Sequence, residues 1–301
     1  MRKTLYLLLI IVMLFSAVAC QKDIPVEYTI YYTANDELDD KSVQQELSAI
    51  STKYKYKNAS QLDFLGLGEE FIDTEASEFY EIEINGETIV GKFSESYKIG
   101  SENANDLKQA YFDVHHRYVY CDENGNWCAE FKIKKSTGEL VFYNDARGRD
   151  SSGNCSAEDA KIISDKFING RYNDKYTNEY VYSKTEVNTG RNNSPQYVYQ
   201  VIYERKLYGY VVDEIVIQIN KAGDIVGIGA SDIGKYYKIE ERISQKAIEQ
   251  AYKTLMEFRG IKNVEMTPET IRLKIAGDGK LYLKSMYEVS NDISARIINV
   301  E

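Results

Sequence analysis

The chain has 301 residues, of which 47 are acidic and 37 are Lys or Arg, so its formal net charge is −10. Nucleic-acid binding is not expected, because phosphate contacts need a basic face and no Lys/Arg-rich block occurs. The 26 tyrosines, the 3 prolines and many alternating Val, Ile and Tyr residues predict a folded, sheet-rich protein.

The first twenty residues have the pattern of an export signal. Two basic residues precede an apolar run that ends in small residues before Cys20. This segment resembles the lipobox of bacterial lipoproteins, although Ala17 stands where the lipobox more often has Leu. The resemblance implies that residues 1–19 are a signal peptide and that lipidated Cys20 anchors the protein to the outer face of the cell membrane. The alternative is an ordinary secreted protein with a chance cysteine.

Residues 20–40 are predicted to form a lipid-anchored tether, because they contain a cluster of acids, with a short strand at 26–32. Residues 41–148 follow as an N-terminal α+β module. Its predicted helices lie at 43–50, where apolar residues have helical spacing, and at 106–114.

Hairpin turns are the clearest local signals in this first module. One is predicted at Asn85-Gly86 and another at Asn124-Gly125, since these dipeptides favour two-residue turns. The second turn places Cys121 opposite Cys128, at a spacing that a disulfide can bridge. A Cys121–Cys128 disulfide is one prediction, with Cys155 left free. The alternative is that all three thiols stay reduced.

Two further modules are predicted, and both begin with a helix. Residues 149–238 form the second module, in which Ser156 to Asp159 has the form of a capping box. Strands are predicted at 180–187 and across 197–228. Residues 239–301 repeat this order in a shorter form, with Ser244 as the helix cap.

The three modules end in similar hairpins, whose turns contain Gly138, Gly223 and Gly279. Each has an apolar strand, a turn with Gly before a charged residue, and a return strand. The sequence therefore predicts one helix-then-sheet plan used three times, although any sheet-rich protein accumulates such hairpins.

The second module resembles a known family. Ser-Ala-Glu-Asp-Ala at 156–160, strands of the form Tyr-x-Val-x-Tyr and the turn Gly209-Tyr210-Val211 are similar to PepSY and related thermolysin-propeptide modules. The match is clearest over residues 156–233. The resemblance implies an α+β fold of repeated small modules, each an antiparallel sheet curved around one helix. It also implies binding, inhibition or chaperoning of secreted peptidases, or a role in envelope assembly, without catalytic residues.

Known catalytic motifs are not found in the sequence. It contains no zinc-peptidase motif, no nucleophile elbow and no P-loop. The adjacent His115 and His116 should point to opposite sides of an element, so they are interpreted as a surface pair and not as one metal site. A non-enzymatic protein without a metal or other cofactor is therefore expected.

Two kinds of binding surface remain as predictions. Tyr197, Tyr199 and Tyr203 alternate along one strand and could form a strip that binds a glycan, another small ligand or a peptide. Packing of this strip in the core is the alternative, and burial under the Ser156 helix would exclude ligand binding. An exposed edge strand could also capture an extended peptide.

The function expected from the sequence is that of a cell-surface lipoprotein that binds a secreted or envelope protein, with restraint of a peptidase as one option. The alternative is a glycan or small-ligand receptor that uses the Tyr-rich face of the sheet.

Overall fold

The computed structural model describes twelve parts of the chain: 29–32, 45, 55–58, 70–100, 112–147, 152–172, 179–187, 198–230, 243–257, 271–275, 281–289 and 292–299. The strands within these parts belong to one sheet. They are, in chain order, β1 (Thr29–Tyr32), β2 (Lys55–Asn58), β3 (Glu70–Ile72), β4 (Phe79–Ile84), β5 (Glu87–Gly100), β6 (Phe112–Cys121), β7 (Trp127–Lys134), β8 (Leu140–Asp145), β9 (Val181–Val187), β10 (Tyr199–Leu207), β11 (Tyr210–Ile219), β12 (Ile225–Gly229), β13 (Ile271–Ile275), β14 (Leu281–Val289) and β15 (Asp292–Asn299). Helix α1 spans Ala157–Arg171 and helix α2 spans Gln245–Glu257.

The hairpin turns form largely where the sequence predicts them. Asn85 and Gly86 have φ values of 57° and 76°, and they join Ile84 to Glu87 in a two-residue turn between β4 and β5. Gly138 and Gly223 also have positive φ, and each donates its N–H to a carbonyl at the start of its turn. The pairing of β13 with β14 confirms the third predicted hairpin, whose Gly279 lies outside the described residues.

Both predicted helix caps are confirmed. Ser156 Oγ accepts a hydrogen bond from Asp159 N at 3.1 Å, and the Asp159 carboxylate accepts one from Ser156 N at 3.0 Å. Ala247 N donates to Ser244 Oγ at 3.2 Å at the start of α2. These contacts satisfy backbone N–H groups that the first helical turn leaves without partners.

The prediction of repeated small modules, each with its own sheet and helix, is wrong. Strand β8 pairs with β12, with Tyr143 opposite Ile228. The hairpins that end the first two predicted modules, β7–β8 and β11–β12, are therefore neighbours in the same sheet. Strand β11 continues this sheet into the last segment through a parallel pairing with β13. Pairing between the hairpins satisfies N–H and C=O groups that separate small sheets would leave at their edges. The fold is therefore dominated by one large, mostly antiparallel sheet.

Helix α1 packs on strands that come from both sides of the predicted module boundary. Ala160, Ile168 and Tyr172 lie in a single buried cluster whose other members run from Ile82 to Ala230. Tyr172 Oη donates a hydrogen bond to Leu140 O at 2.9 Å. The first two predicted modules therefore share one core.

A glycine in β5 shows how tightly this core is packed. A Cβ added at Gly91 would lie 2.6 Å from Phe131 Cε1 and 2.8 Å from Tyr118 Cβ. The Tyr118 and Phe131 rings stack with centroids 5.4 Å apart. A larger residue at position 91 would displace this stacked pair, because close-packed interiors have no free volume for another methyl group.

Predictions for the remaining elements have mixed outcomes. Strand β1 confirms the short strand predicted within 26–32, and it pairs with β15. Phe112 to Val114 belong to β6, so the helix predicted at 106–114 is wrong over these residues. Of the helix predicted at 43–50, only Gln45 is described, and it is helical.

Candidate functional site

Cys20, the predicted lipidation site, and the signal peptide at 1–19 lie outside the described residues. Lipidation and location at the cell membrane therefore stay predictions. Neither α1 nor α2 has the length and apolar character that crossing a bilayer would require.

Cys121 and Cys128 are free thiols in the structure. The β6–β7 register follows the predicted alignment as far as Tyr120 opposite Ala129, and a bulge then places Cys121 opposite Trp127 instead of Cys128. The predicted direct pairing of the two cysteines is therefore shifted by one residue. Their oxidation stays a prediction.

The side chain of Asp122 explains this shift. Its carboxylate accepts hydrogen bonds from Asn124 N at 2.9 Å and from Asn126 N at 2.8 Å, while Gly125 N donates to Asp122 O. The side-chain hydrogen bond from Asn126 is the main reason that the pKa of Asp122 is lowered. The turn therefore begins at Asp122, and it is longer than the two-residue turn predicted at Asn124-Gly125.

Cys155 lacks the environment of a nucleophilic thiol. Burial and, secondarily, the charge of Asp159 raise its pKa. A reactive cysteine needs a lowered pKa, because the thiolate is the nucleophile. Cys155 also packs against the buried core cluster, and this contact favours a structural role.

The predicted tyrosine strip does not form an exposed surface at Tyr203. This side chain is 4% exposed, and its hydroxyl donates to Asp165 Oδ1 of α1 at 2.7 Å. Tyr199 is half-buried against the same core. The strip prediction is therefore wrong at Tyr203, and Tyr197 lies outside the described residues. The ligand-receptor alternative therefore loses one of the three aromatic side chains on which it depends.

The two histidines are buried, so their interpretation as a surface pair is wrong. His115 is 0% exposed and His116 is 7% exposed, within β6. His116 Nδ1 lies 2.7 Å from Ser96 Oγ. Among the described residues, no cluster of three or more His, Cys, Asp or Glu side chains is arranged to hold a metal ion.

Strand β9 provides one candidate binding surface. It pairs with β10 along one side, and no other strand that the structure describes pairs with its outer side. Its side chains are largely exposed on both faces, including Val181 at 68% and Val187 at 57%. Such an edge presents backbone donors and acceptors together with apolar side chains, which is the arrangement that an added strand needs.

A groove of about 600 Å³ provides a second candidate. It lies between the C-terminal half of α1, the β4–β5 turn and the β11–β12 turn, and its lining includes Phe167, Gly170, Arg171 and Asn85. The Asn85 side chain exchanges two hydrogen bonds with the backbone of Ile225, at 3.0 and 2.8 Å. This reciprocal pair fixes the two turns that form one wall of the groove.

Neither surface could be located from the sequence. The strand at 180–187 was predicted, but its edge position depends on which strands pair beside it. In the sequence, Arg171 is recognisable only as a basic residue at the C-terminal end of a helix. The groove itself forms between segments about 140 residues apart in sequence, as the Asn85 contact with Ile225 shows.

The fold and these surfaces define a sheet protein that has the unpaired edge of β9 and a groove beside α1 in its described part. No protein-family model and no curated protein matches the chain. A solved structure, the Bacillus megaterium YpeB C-terminal domain, is similar at 14% sequence identity and a TM-score of 0.32, and the match covers 68% of this chain and 84% of that domain. At this level the similarity establishes neither a shared fold nor a shared function.

Proposed function

We propose that this protein is a non-enzymatic lipoprotein of the cell surface that binds an extended segment of a secreted or envelope protein at the outer edge of β9. Lipidated Cys20 would hold it at the outer face of the membrane. A peptidase restrained by this contact is one partner that the resemblance of residues 156–233 to PepSY modules suggests. The exposed edge of β9 is the observation that carries the proposal.

The inner side of β9 is held in place, so the edge is formed before a partner arrives. Register pairs run from Val187 opposite Tyr199 to Val181 opposite Glu204. The Tyr182 ring lies 6.0 Å from that of Tyr203, and Lys161 Nζ of α1 lies 4.8 Å from the Tyr182 centroid. A preformed edge lowers the entropic cost of binding an extended segment.

Other features of β9 favour a selective partner over self-association. A bulge falls between the pairings of Lys184 and Tyr182, and Lys184 forms an exposed ion pair with Glu186 at 2.6 Å. Bulges and edge lysines are devices by which natural sheets avoid unselective pairing. We therefore expect a partner whose sequence accommodates the charged positions.

Proline variants at two adjacent positions of β9 test the proposal. The N–H groups of neighbouring residues point to opposite sides of a strand. One of the two variants, Thr185→Pro and Glu186→Pro, therefore removes an N–H that donates to β10, and the other removes an N–H at the outer edge. Thermal unfolding identifies the outer-edge variant as the one that keeps wild-type stability. Exported proteins of the same cell are then passed over each immobilised chain.

We expect the wild-type chain to retain a specific exported protein and the outer-edge variant to lose it. If the retained protein is a peptidase, its inhibition by the chain is then assayed. The exposed Glu123 in the turn between β6 and β7 offers a matched control, because Glu123→Gln removes a surface charge beside strands that pair with neither β9 nor β10. Retention that is unchanged in the outer-edge variant, or no retention by the wild type, would contradict the proposal.

A further inference from the structure

Arg171 differs from the other arginines whose side chains the structure describes. Arg117, Arg147, Arg205 and Arg272 each form an ion pair with a Glu or Asp carboxylate. Arg171 has no carboxylate within ion-pair distance among the described residues. It is therefore a partly buried cation without an ion-pair partner in the described part of the chain, and the nearby charge of Glu83 only partly offsets the effect of burial on its pKa.

The contacts of Arg171 leave part of its guanidinium unused. Nη1 donates to Glu83 O at a long 3.3 Å, and Cζ lies 5.9 Å from the centroid of Phe167. Nε is buried and has no hydrogen-bond acceptor among the described atoms. Burial also lowers the pKa of Arg171, since its charged form is poorly solvated. A buried donor without an acceptor is unfavourable, so an acceptor supplied from outside would be stabilised.

The groove beside Arg171 has room for such an acceptor. Its volume of about 600 Å³ falls in the usual range for small-molecule sites, roughly 300–1,000 Å³. A Cβ added at Gly170 or at Gly86 would meet nothing within 4 Å, so the space over both glycines is open. Ile163 and Phe167 provide an apolar wall, and Lys166 adds a second cation to the lining.

The acidic residues of the groove limit what it can accept. Glu83 and Asp224 also line it. Their negative charges would repel a ligand that carries several acidic groups, whereas a single carboxylate placed at Arg171 gains a charge-assisted hydrogen bond. The groove is therefore suited to one carboxylate joined to an apolar body.

We propose that this groove binds a small organic carboxylate, which accepts hydrogen bonds from the guanidinium of Arg171 while its apolar part lies against Phe167. The planar fork of an arginine fits a carboxylate through two parallel hydrogen bonds. A purely structural role, as a cation at the C-terminal end of α1, needs only the charge and not the fork.

Benzoate and benzamide are suitable probes, because they share a flat apolar ring and differ in charge. Titration of the purified chain is followed by NMR of ¹⁵N-labelled arginine side chains. We expect benzoate to shift the Arg171 Nε–H signal and to bind at least about tenfold more tightly than benzamide. Arg171→Gln should abolish this preference, and Arg171→Lys, which keeps the helix-end charge, should weaken benzoate binding at least about tenfold.

Lys161→Gln is the matched control, because Lys161 lies on the same helix but contacts Asp165 and Tyr182 on the side of β9. It should bind benzoate as the wild type does. If Arg171→Gln does not fold, the Nε–H shift and Arg171→Lys decide the question. Equal binding of benzoate and benzamide, no benzoate binding, or undiminished binding by Arg171→Lys would overturn the proposal. Binding of an acidic peptide through Arg171 without binding of benzoate would also overturn it, in favour of a protein ligand.

Discussion

At the scale of single residues, His116 shows how a buried group links stability to pH. Its ring lies beside Ser96 Oγ and makes an edge contact with Phe93 at a centroid distance of 6.1 Å. Burial and, to a smaller extent, the charge of Lys135 lower its pKa below the ordinary value of 6.5. The folded protein therefore favours the neutral ring.

The lowered pKa gives a prediction with a definite sign. As the pH falls through about 6.5, the unfolded chain takes up a proton at His116 before the folded chain does. The stability that depends on the neutral ring is complete above this pH, and it is lost as the pH falls toward the folded-state pKa. We expect His116→Asn to reduce the fall in unfolding free energy between about pH 7.5 and pH 5.5, measured by urea denaturation. Equal falls in the two proteins would contradict this assignment.

The sequence predicts the opposite directions of the two histidines but not their burial. His115 and His116 alternate along β6, as residues of any strand do. Both are buried, so both faces of β6 are covered at this position. A period-two pattern cannot report such coverage.

At the scale of elements, Asn85 connects two hairpins that lie far apart in sequence. Its Nδ2 donates to Ile225 O and its Oδ1 accepts from Ile225 N, so its amide pairs with the start of β12 as a neighbouring strand would. The same residue has a φ of 57° in the β4–β5 turn. One side chain therefore supports both a turn and a contact between hairpins.

Two substitutions separate these roles. Asn85→Ala loses both hydrogen bonds and favours the turn conformation less, so we expect it to lower the unfolding free energy by about 2–4 kcal/mol. Asn85→Gly keeps the positive φ and loses only the hydrogen bonds, so a loss of about 1–3 kcal/mol is expected. Urea denaturation measures both. A glycine variant as stable as the wild type would show that the contact with Ile225 contributes nothing.

The hairpins are the part of the fold that the sequence predicts well. An Asn-Gly pair or a glycine with positive φ restricts the backbone locally, and this is why the turns at Gly86, Gly138 and Gly223 could be placed. The bulge at Cys128 was missed, because it depends on the hydrogen bonds of the Asp122 side chain. The β8–β12 pairing was missed because the residues of a strand do not specify which distant strand lies beside it. The groove and the free edge of β9 follow from those pairings.

At the scale of the whole molecule, the shared sheet makes the two candidate surfaces depend on one core. Helix α1 faces β9 and β10 through Lys161 and Asp165, and it faces the groove through Phe167 and Arg171. Loss of the pairing between β8 and β12 would therefore disturb both the edge and the groove. A chain of independent modules would not show this dependence.

Native-state hydrogen exchange of the backbone amides tests this claim most directly. In one shared core, the most protected amides of β4–β8 and of β10–β12 should open with the same free energy, within about 0.5 kcal/mol. Asn85→Ala should lower both groups together. A partly unfolded state in which the amides of β4–β8 exchange while those of β10–β12 stay protected would contradict the claim. An effect of Asn85→Ala that is confined to β4–β8 would also contradict it.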